Sequence, residues 1–402
     1  MIETPPLVDA HGSGVLRVEL GLGTFETELA RGSAAAPAGS GVTHFDSRLG
    51  RAVLRWCPPV LGLEPHCPPA RYLARRRELG PVEVNRRLLR ACGIGVHLAV
   101  EDPRAAAGDL TDLDEFARAA DAPVHRVVSL TGLVQRVAGD AAEVDEFLRR
   151  LETAVRAARR GALAFRIAAR LDGGADPVAR LELWDLLARV PEPPDRAQVR
   201  AAVARARVRG AGADAVVLRH AVRLAAETGL PLHLPVPAGR EPAGIVPFLR
   251  EAAGYGAPVV LIGGHPHHRQ TADLAARFPK VHADVGACAA RSGSGAAEVL
   301  AEMLDRAPFG KLLWAGDGGR LPEGRLVAAH GFRDALARVL GSWVAEGLWS
   351  RAEADRTAAA LCAGNARRVH GGLDGERPAR VPRQAGPVLA WPAPAPVRSP
   401  RH

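Results

Sequence analysis

Fourteen histidines and five cysteines are the side chains of this 402-residue sequence best suited to hold a metal ion or move a proton. His265, His267 and His268 form the densest histidine group. Imidazoles so close together can ligate a metal, and solvated loop residues are the plainer reading of the same cluster. Cys57, Cys67, Cys92, Cys288 and Cys362 are scattered, odd in number and without a C-x-x-C pair, so neither a disulfide framework nor a zinc ribbon is implied. Ser13 is no nucleophile elbow, because G-x-S-x-G would need glycine where His11 stands. The segment Arg209-Gly210-Ala211-Gly212-Ala213 follows no strand and lacks the full dinucleotide fingerprint, and no phosphate-cradling G-x-x-x-x-G-K-[ST] occurs.

Short apolar or β-branched runs recur along the chain, many bounded by Gly or Pro and followed by longer Ala/Leu/Arg stretches with helical spacing. They cover Leu7–Ser13, Gly93–Val100, His125–Leu130, Ala162–Ala168, Pro231–Val236, Pro258–Gly263, Lys280–Val285 and Lys311–Ala315. Helical stretches at Glu143–Arg159, Ala213–Thr228, Gln270–Arg277, Ala296–Arg306 and Leu326–Leu340 lie between or after them. Eight strands alternating with helices predict a (β/α)8 TIM barrel, an α/β fold whose active site lies at the C-terminal ends of the strands. A minimal barrel needs about 250 residues, so the surplus falls in helical insertions after strand one (14–92) and strand four (172–228). Both leave strand ends where a lid or substrate-selecting helices would belong. Residues 1–376 read as the barrel, and 377–402, with five Arg, seven Pro and no acid, as a disordered tail.

The charge narrows the partners. Basic residues number 53 against 44 acids, a net +9, yet only Lys280 and Lys311 are lysines. Arginine suits phosphate recognition, but the skew together with abundant Ala, Gly and Pro reads as a GC-rich composition. Without the tail the body carries 48 basic and 44 acidic residues. No basic run is interleaved with aromatics, so nucleic acid is not an expected partner. No apolar run reaches the ~18–20 residues of a membrane span, and Met1–Pro6 has no secretory pattern. A cytoplasmic location, a small-molecule ligand and no membrane partner are expected, and a homo-oligomer stays open.

The strand ends resemble a known family. Val8-Asp9-Ala10-His11-Gly12-Ser13 resembles the opening D-x-H-x-H motif of the amidohydrolase superfamily. Ile262-Gly263-Gly264-His265-Pro266, then Arg269-Gln270 and Phe278-Pro279-Lys280-Val281-His282-Ala283-Asp284, are similar to its amidohydrolase-related group at strands six and seven. Leu312-Leu313-Trp314-Ala315-Gly316-Asp317 resembles strand eight, and Gly364-Asn365-Ala366-Arg367-Arg368-Val369 the closing helix. The branch it looks most like contains the amidohydrolase half of fungal FluG-type proteins. The resemblance spans roughly residues 7–372. It implies metal-assisted hydrolysis of a C–N or related bond in a small molecule, with a bound water activated by one or two divalent ions.

Carried over position by position, the implied metal site is degenerate. His11 matches the first histidine of the opening motif, but the second falls on Ser13. Arg166 stands where relatives carry a lysine; always protonated, it cannot form a bridging carbamate. The strand-five and strand-six ligand positions fall on Pro235 and Gly263. Asp317 matches the general base. His233 and His265 each lie two residues, about 6.6 Å of strand, from the lost ligands, His233 deeper in the barrel and His265 in the loop; a shifted alignment at strand five would make His233 itself the ligand. The resemblance therefore implies His11, His233 and His265 as candidate metal ligands, Asp317 as candidate catalytic base, and Arg166, His44 and Glu323 as candidate substrate contacts. A single divalent metal such as zinc would be the cofactor, if any. Two expectations stand side by side: a non-catalytic or strongly reduced barrel that binds a small molecule or partner, and a hydrolase with a reduced single-metal site.

Overall fold

The computed structural model describes residues 2–30, 43–101, 108–140, 143–167, 183–189, 193–208, 214–237, 240–287, 290, 295–316 and 319–373. Asp317 and the segment 377–402 lie outside the described residues.

Eight parallel strands run in sequence order: β1 (Leu7–Ser13), β2 (Ile94–Glu101), β3 (Val124–Ser129), β4 (Ala164–Arg166), β5 (Leu232–Val236), β6 (Val259–Gly263), β7 (Val281–Asp284) and β8 (Leu312–Leu313). The Ala10 N–H donates to the Trp314 carbonyl at 3.2 Å and joins the two ends of the sheet, which closes a (β/α)8 barrel. All eight expected strands are present. Strand burial explains why they could be read as apolar runs, since strands of a closed parallel barrel are covered on both faces.

Alternate side chains divide between two apolar layers. Val8, Ala10, Val96, Leu98, Val100, Val127, Ala164, Val260, Ile262, Leu313 and Ala315 pack together in the barrel interior. Their neighbours, such as Leu7, Leu312 and Phe165, pack against the outer helices. The inward set is small and β-branched, which leaves room along the axis for the polar residues described below.

After β1 come α1 (Leu22–Leu29), α2 (Arg48–Val60) and α3 (Pro69–Ala91), the last kinked at Gly80–Pro81. The barrel helices that bear on the site are α4 (Leu113–Ala120), after β2, and, after β8, the long α5 (Pro322–Ala345). A capping box starts α4: the Asp112 side chain accepts the Glu115 N–H while Glu115 reaches back to the Asp112 N–H. Among the described residues of the first insertion, α2 and α3 pack against α5. Trp56 of α2 stacks on His330 of α5 with ring centroids 4.9 Å apart.

A short closing helix, α6 (Asn365–His370), seals the end of the barrel opposite the mouth. Asn365 Nδ2 donates to the carbonyls of Phe309 and Leu312 at 2.7 and 2.6 Å, and Arg368 donates to that of Gly310. These carbonyls lie at the start of β8, and Ala366 and Leu373 complete the interior apolar layer. No helix among the described residues is long and apolar enough to cross a membrane.

Candidate functional site

The end of β1 departs from the simple two-residue alternation. Its register with β2 slips between Asp9 and Gly12, as in a β-bulge. Regular alternation would put His11 on the side of Leu7 and Asp9, which faces the helices. The slip turns His11 inward instead, where its Nδ1 lies 3.1 Å from Nδ1 of His233. His11 is therefore not placed by regular two-residue alternation from Asp9. The Ser13 hydroxyl bonds to the Gly14 carbonyl.

Asp9 is fully buried and held by several groups at once. Its Oδ1 accepts the Gly316 N–H at 2.9 Å and its Oδ2 accepts Arg325 Nη1 at 2.7 Å, while His97 Nδ1 lies 3.5 Å away. Arg325, from the first turns of α5, also donates to the Ser13 carbonyl and lies over the Phe116 ring of α4. Burial alone would push the Asp9 carboxyl up, but His97 and Arg325 hold it below the ordinary range. Neither His97 nor Arg325 was singled out from the sequence; His97 is a lone histidine in an apolar run, and Arg325 is one of several charged residues on its helix.

His233 is the second residue of β5, paired in register with Arg166 of β4, and is fully buried. Its Nε2 lies 2.7 Å from Nε2 of His370, whose Nδ1 lies 2.9 Å from the Ala366 carbonyl. Three imidazoles thus run in a chain from the strand ends to the closing helix. Burial and the nearby Arg166 guanidinium push the His11 pKa down to about 3, and burial brings His370 to about 4. The His233 pKa is lowered by burial and then by the neighbouring His370, His11 and Arg166. His282, on the inner face of β7, is lowered to about 3, again chiefly by burial.

Asp284, at the end of β7, is a second buried carboxylate. Its Oδ1 accepts the N–H groups of Gly286 and Ala315 at 2.6 and 2.9 Å, and its Oδ2 those of Gly263 and Ala287 at 3.1 Å each. It therefore ties β6, β7 and the segment after β8 together. Burial pushes its pKa up to about 7 against the pull of these four donors.

The remaining candidates are dispersed. His265 stacks on His268 with centroids 5.9 Å apart, and His268 Nε2 bonds Glu302 Oε2 at 2.6 Å on the helix Ala296–Arg306. This histidine group therefore engages the helix layer. His44 opens a short turn that packs on α2, and its carbonyl accepts the Ser47 hydroxyl at 2.6 Å. Glu323 is fully buried in the first turn of α5, where Oε1 accepts the Tyr72 hydroxyl at 2.7 Å and pairs with Arg76 Nε at 2.8 Å. It fastens α5 to α3.

Backbone geometry gives a reason for glycine at the strand-six position. Gly263 has φ +79° and Gly264 φ +109°, a region that side chains with a Cβ rarely adopt. Replacing Gly263 by histidine, the residue the resemblance would place there, is expected to lower stability by about 1–2 kcal/mol. Urea unfolding of Gly263→His measures this, and an unchanged midpoint would contradict it.

A divalent ion does not fit the described residues. Both ring nitrogens of His233 and both oxygens of Asp9 and of Asp284 face protein partners, and Arg166 supplies a fixed positive charge beside His11 and His233. Among the described residues no group of three or more His, Cys, Asp or Glu side chains is arranged to hold a metal. The arrangement can instead offer cationic and hydrogen-bonding groups to a polar ligand.

No family profile matches the chain. Protein fluG of Emericella nidulans is 33% identical over 113 residues, which make up 28% of this chain and 13% of that protein. Among solved structures, a Lactobacillus casei ATCC 334 protein assigned as a metal-dependent hydrolase superposes with a TM-score of 0.74 at 19% identity, covering 92% of this chain and 96% of that one. Glucuronate isomerase from Caulobacter crescentus gives a TM-score of 0.62 at 13% identity over 94% and 93% of the two chains. Uronate isomerase from Thermotoga maritima gives 0.54 at 14% over 91% and 94%. The closed eight-stranded barrel of this chain is thus a fold it shares with a metal-dependent hydrolase and with uronate isomerases.

Proposed function

We propose that this chain is a barrel of the amidohydrolase type that has lost most or all of its metal chemistry and binds a small molecule at its mouth. The observation that supports this most is the occupancy of the buried polar groups at the strand ends. A metal ligand must offer a lone pair, and the lone pairs of His233, Asp9 and Asp284 are committed to Arg325, to backbone N–H groups and to other imidazoles. Arg166, at the end of β4, would add a repulsive charge to any cation and an attractive one to an anion. A carboxylate-bearing small molecule is therefore the ligand class favoured here, with Arg166 as its anchor.

A second reading keeps a reduced single-metal hydrolase. It is favoured by the partial match to fluG and would use His11 and Asp317, with His233 or His265 released from their present partners. The two readings separate on stability. An ion bound to the folded state alone, at a hundredfold its dissociation constant, would stabilise by about 2.7 kcal/mol. We expect zinc or manganese to leave the thermal midpoint of the chelator-treated chain unchanged. A saturable rise, abolished in His11→Ala, would overturn the proposal.

A further inference from the structure

We propose that His370 is a positioning residue: through His233 it fixes the tautomer of His11 so that His11 Nε2 is held unprotonated, as a standing acceptor for an N–H or O–H group of a ligand. The inference follows from counting protons along the chain of imidazoles. A carbonyl oxygen only accepts, so the 2.9 Å contact with Ala366 requires His370 Nδ1 to carry a hydrogen. In a neutral imidazole the other nitrogen is then bare. His370 Nε2 must accept from His233 Nε2, 2.7 Å away.

With its single hydrogen on Nε2, His233 has a bare Nδ1. That nitrogen accepts from His11 Nδ1 at 3.1 Å. His11 has then used its one hydrogen, and its Nε2 keeps a lone pair. The direction of every bond is set by one backbone carbonyl 355 positions along the chain from His11. Reversing it would leave two lone pairs facing each other at the Ala366 end, a buried repulsion that the fold does not relieve.

The surroundings keep the chain neutral, which the count requires. His233 is fully buried, and His11 and His370 are 5% and 6% exposed. The Arg166 guanidinium beside His11 and His233 opposes a further positive charge. A hydrogen bond made by one ring nitrogen commonly decides the state of the other, and supporting partners of this kind orient ligating or reacting histidines. Here the support comes from the closing helix at the opposite end of the barrel, so α6 acts on the mouth without touching it.

The inference rests on the metal-free reading, because an ion ligated through His233 would break its contacts with His11 and His370. Long-range 1H–15N correlation spectra of the 15N-labelled full chain at neutral pH test it, with the His11 signals assigned by their disappearance in His11→Gln. We expect His11 to show a protonated Nδ1 and an unprotonated, downfield Nε2. In His370→Leu, the acceptor for His233 is removed, and the His11 tautomer should become mixed or shift to Nε2–H. His370→Gln should restore the wild-type pattern, because its amide nitrogen can donate to Ala366 while its oxygen accepts from His233. An Nε2–H tautomer or an imidazolium at His11 in the wild-type chain would overturn the inference, whether or not His370→Leu folds. So would an unchanged His11 pattern in folded His370→Leu.

Discussion

Acidification through the range from about pH 6.5 to about pH 4 is expected to unfold this chain steeply. His11, His370 and His282 have folded-state pKa values of about 3, 4 and 3, all lowered from 6.5 mainly by burial. The unfolded chain binds protons at these residues near pH 6.5, whereas the folded chain refuses them until much lower pH. The stability they confer is therefore complete above pH 6.5 and is lost as the pH falls toward the folded values. Each such histidine contributes a slope of up to about 1.4 kcal/mol per pH unit. Three together approach ~4 kcal/mol per unit, against a total stability on the order of 5–15 kcal/mol. Urea unfolding at a series of pH values measures the slope. His370→Gln should reduce it by about one histidine's share, and a flat profile across this range would contradict the account of a neutral buried chain.

Removal of Arg325 should be the most damaging single substitution at the barrel mouth. Its guanidinium and the Asp9 carboxylate are each essentially inaccessible, 2.7 Å apart, so Arg325→Met leaves a buried carboxylate without its counter-charge. Breaking such a pair typically costs about 3–5 kcal/mol. The double variant Asp9→Asn, Arg325→Met should recover much of the loss, since the asparagine is neutral and its oxygen can still accept the Gly316 N–H. Urea unfolding of both variants decides it. A single-variant loss below about 1 kcal/mol, or a double variant no better than the single, would show that the pair contributes little.

The barrel was legible because most strands are apolar runs bounded by turn residues and covered on both faces, β1 and β3 being the ones with several polar residues. Even β4 and β8, three and two residues long, were placed, since the surrounding apolar run extends beyond the hydrogen-bonded core. The site was less legible. The pairing of His11 with His233 depends on a register slip at Asp9–Gly12, and nothing in the local sequence specifies one. Periodicity would have turned His11 toward the helices.

Long-range partners account for the rest. Arg325 meets Asp9 across 316 positions and His370 meets His233 across 137, separations at which local spacing carries no information. Arg325 is one of three arginines on its helix, with Arg333 and Arg338, and nothing in their spacing marks it as the buried one. The closing-helix motif was recognised only as far as Val369, one residue short of His370. Asp284 lay inside the strand-seven resemblance, but its role as a four-donor acceptor depends on backbone N–H groups from three separate segments. Glu323 was noticed for its place after strand eight, and its partners Tyr72 and Arg76 come from an insertion whose docking could not be read from spacing.

The central claim is that the buried histidines and carboxylates at the strand ends bond protein partners in place of a metal ion. Elemental analysis of the purified, folded chain for zinc, manganese and iron tests it most directly. The account predicts far less than one ion per chain for each metal. One tightly held ion per chain, lost on His11→Ala, would contradict it.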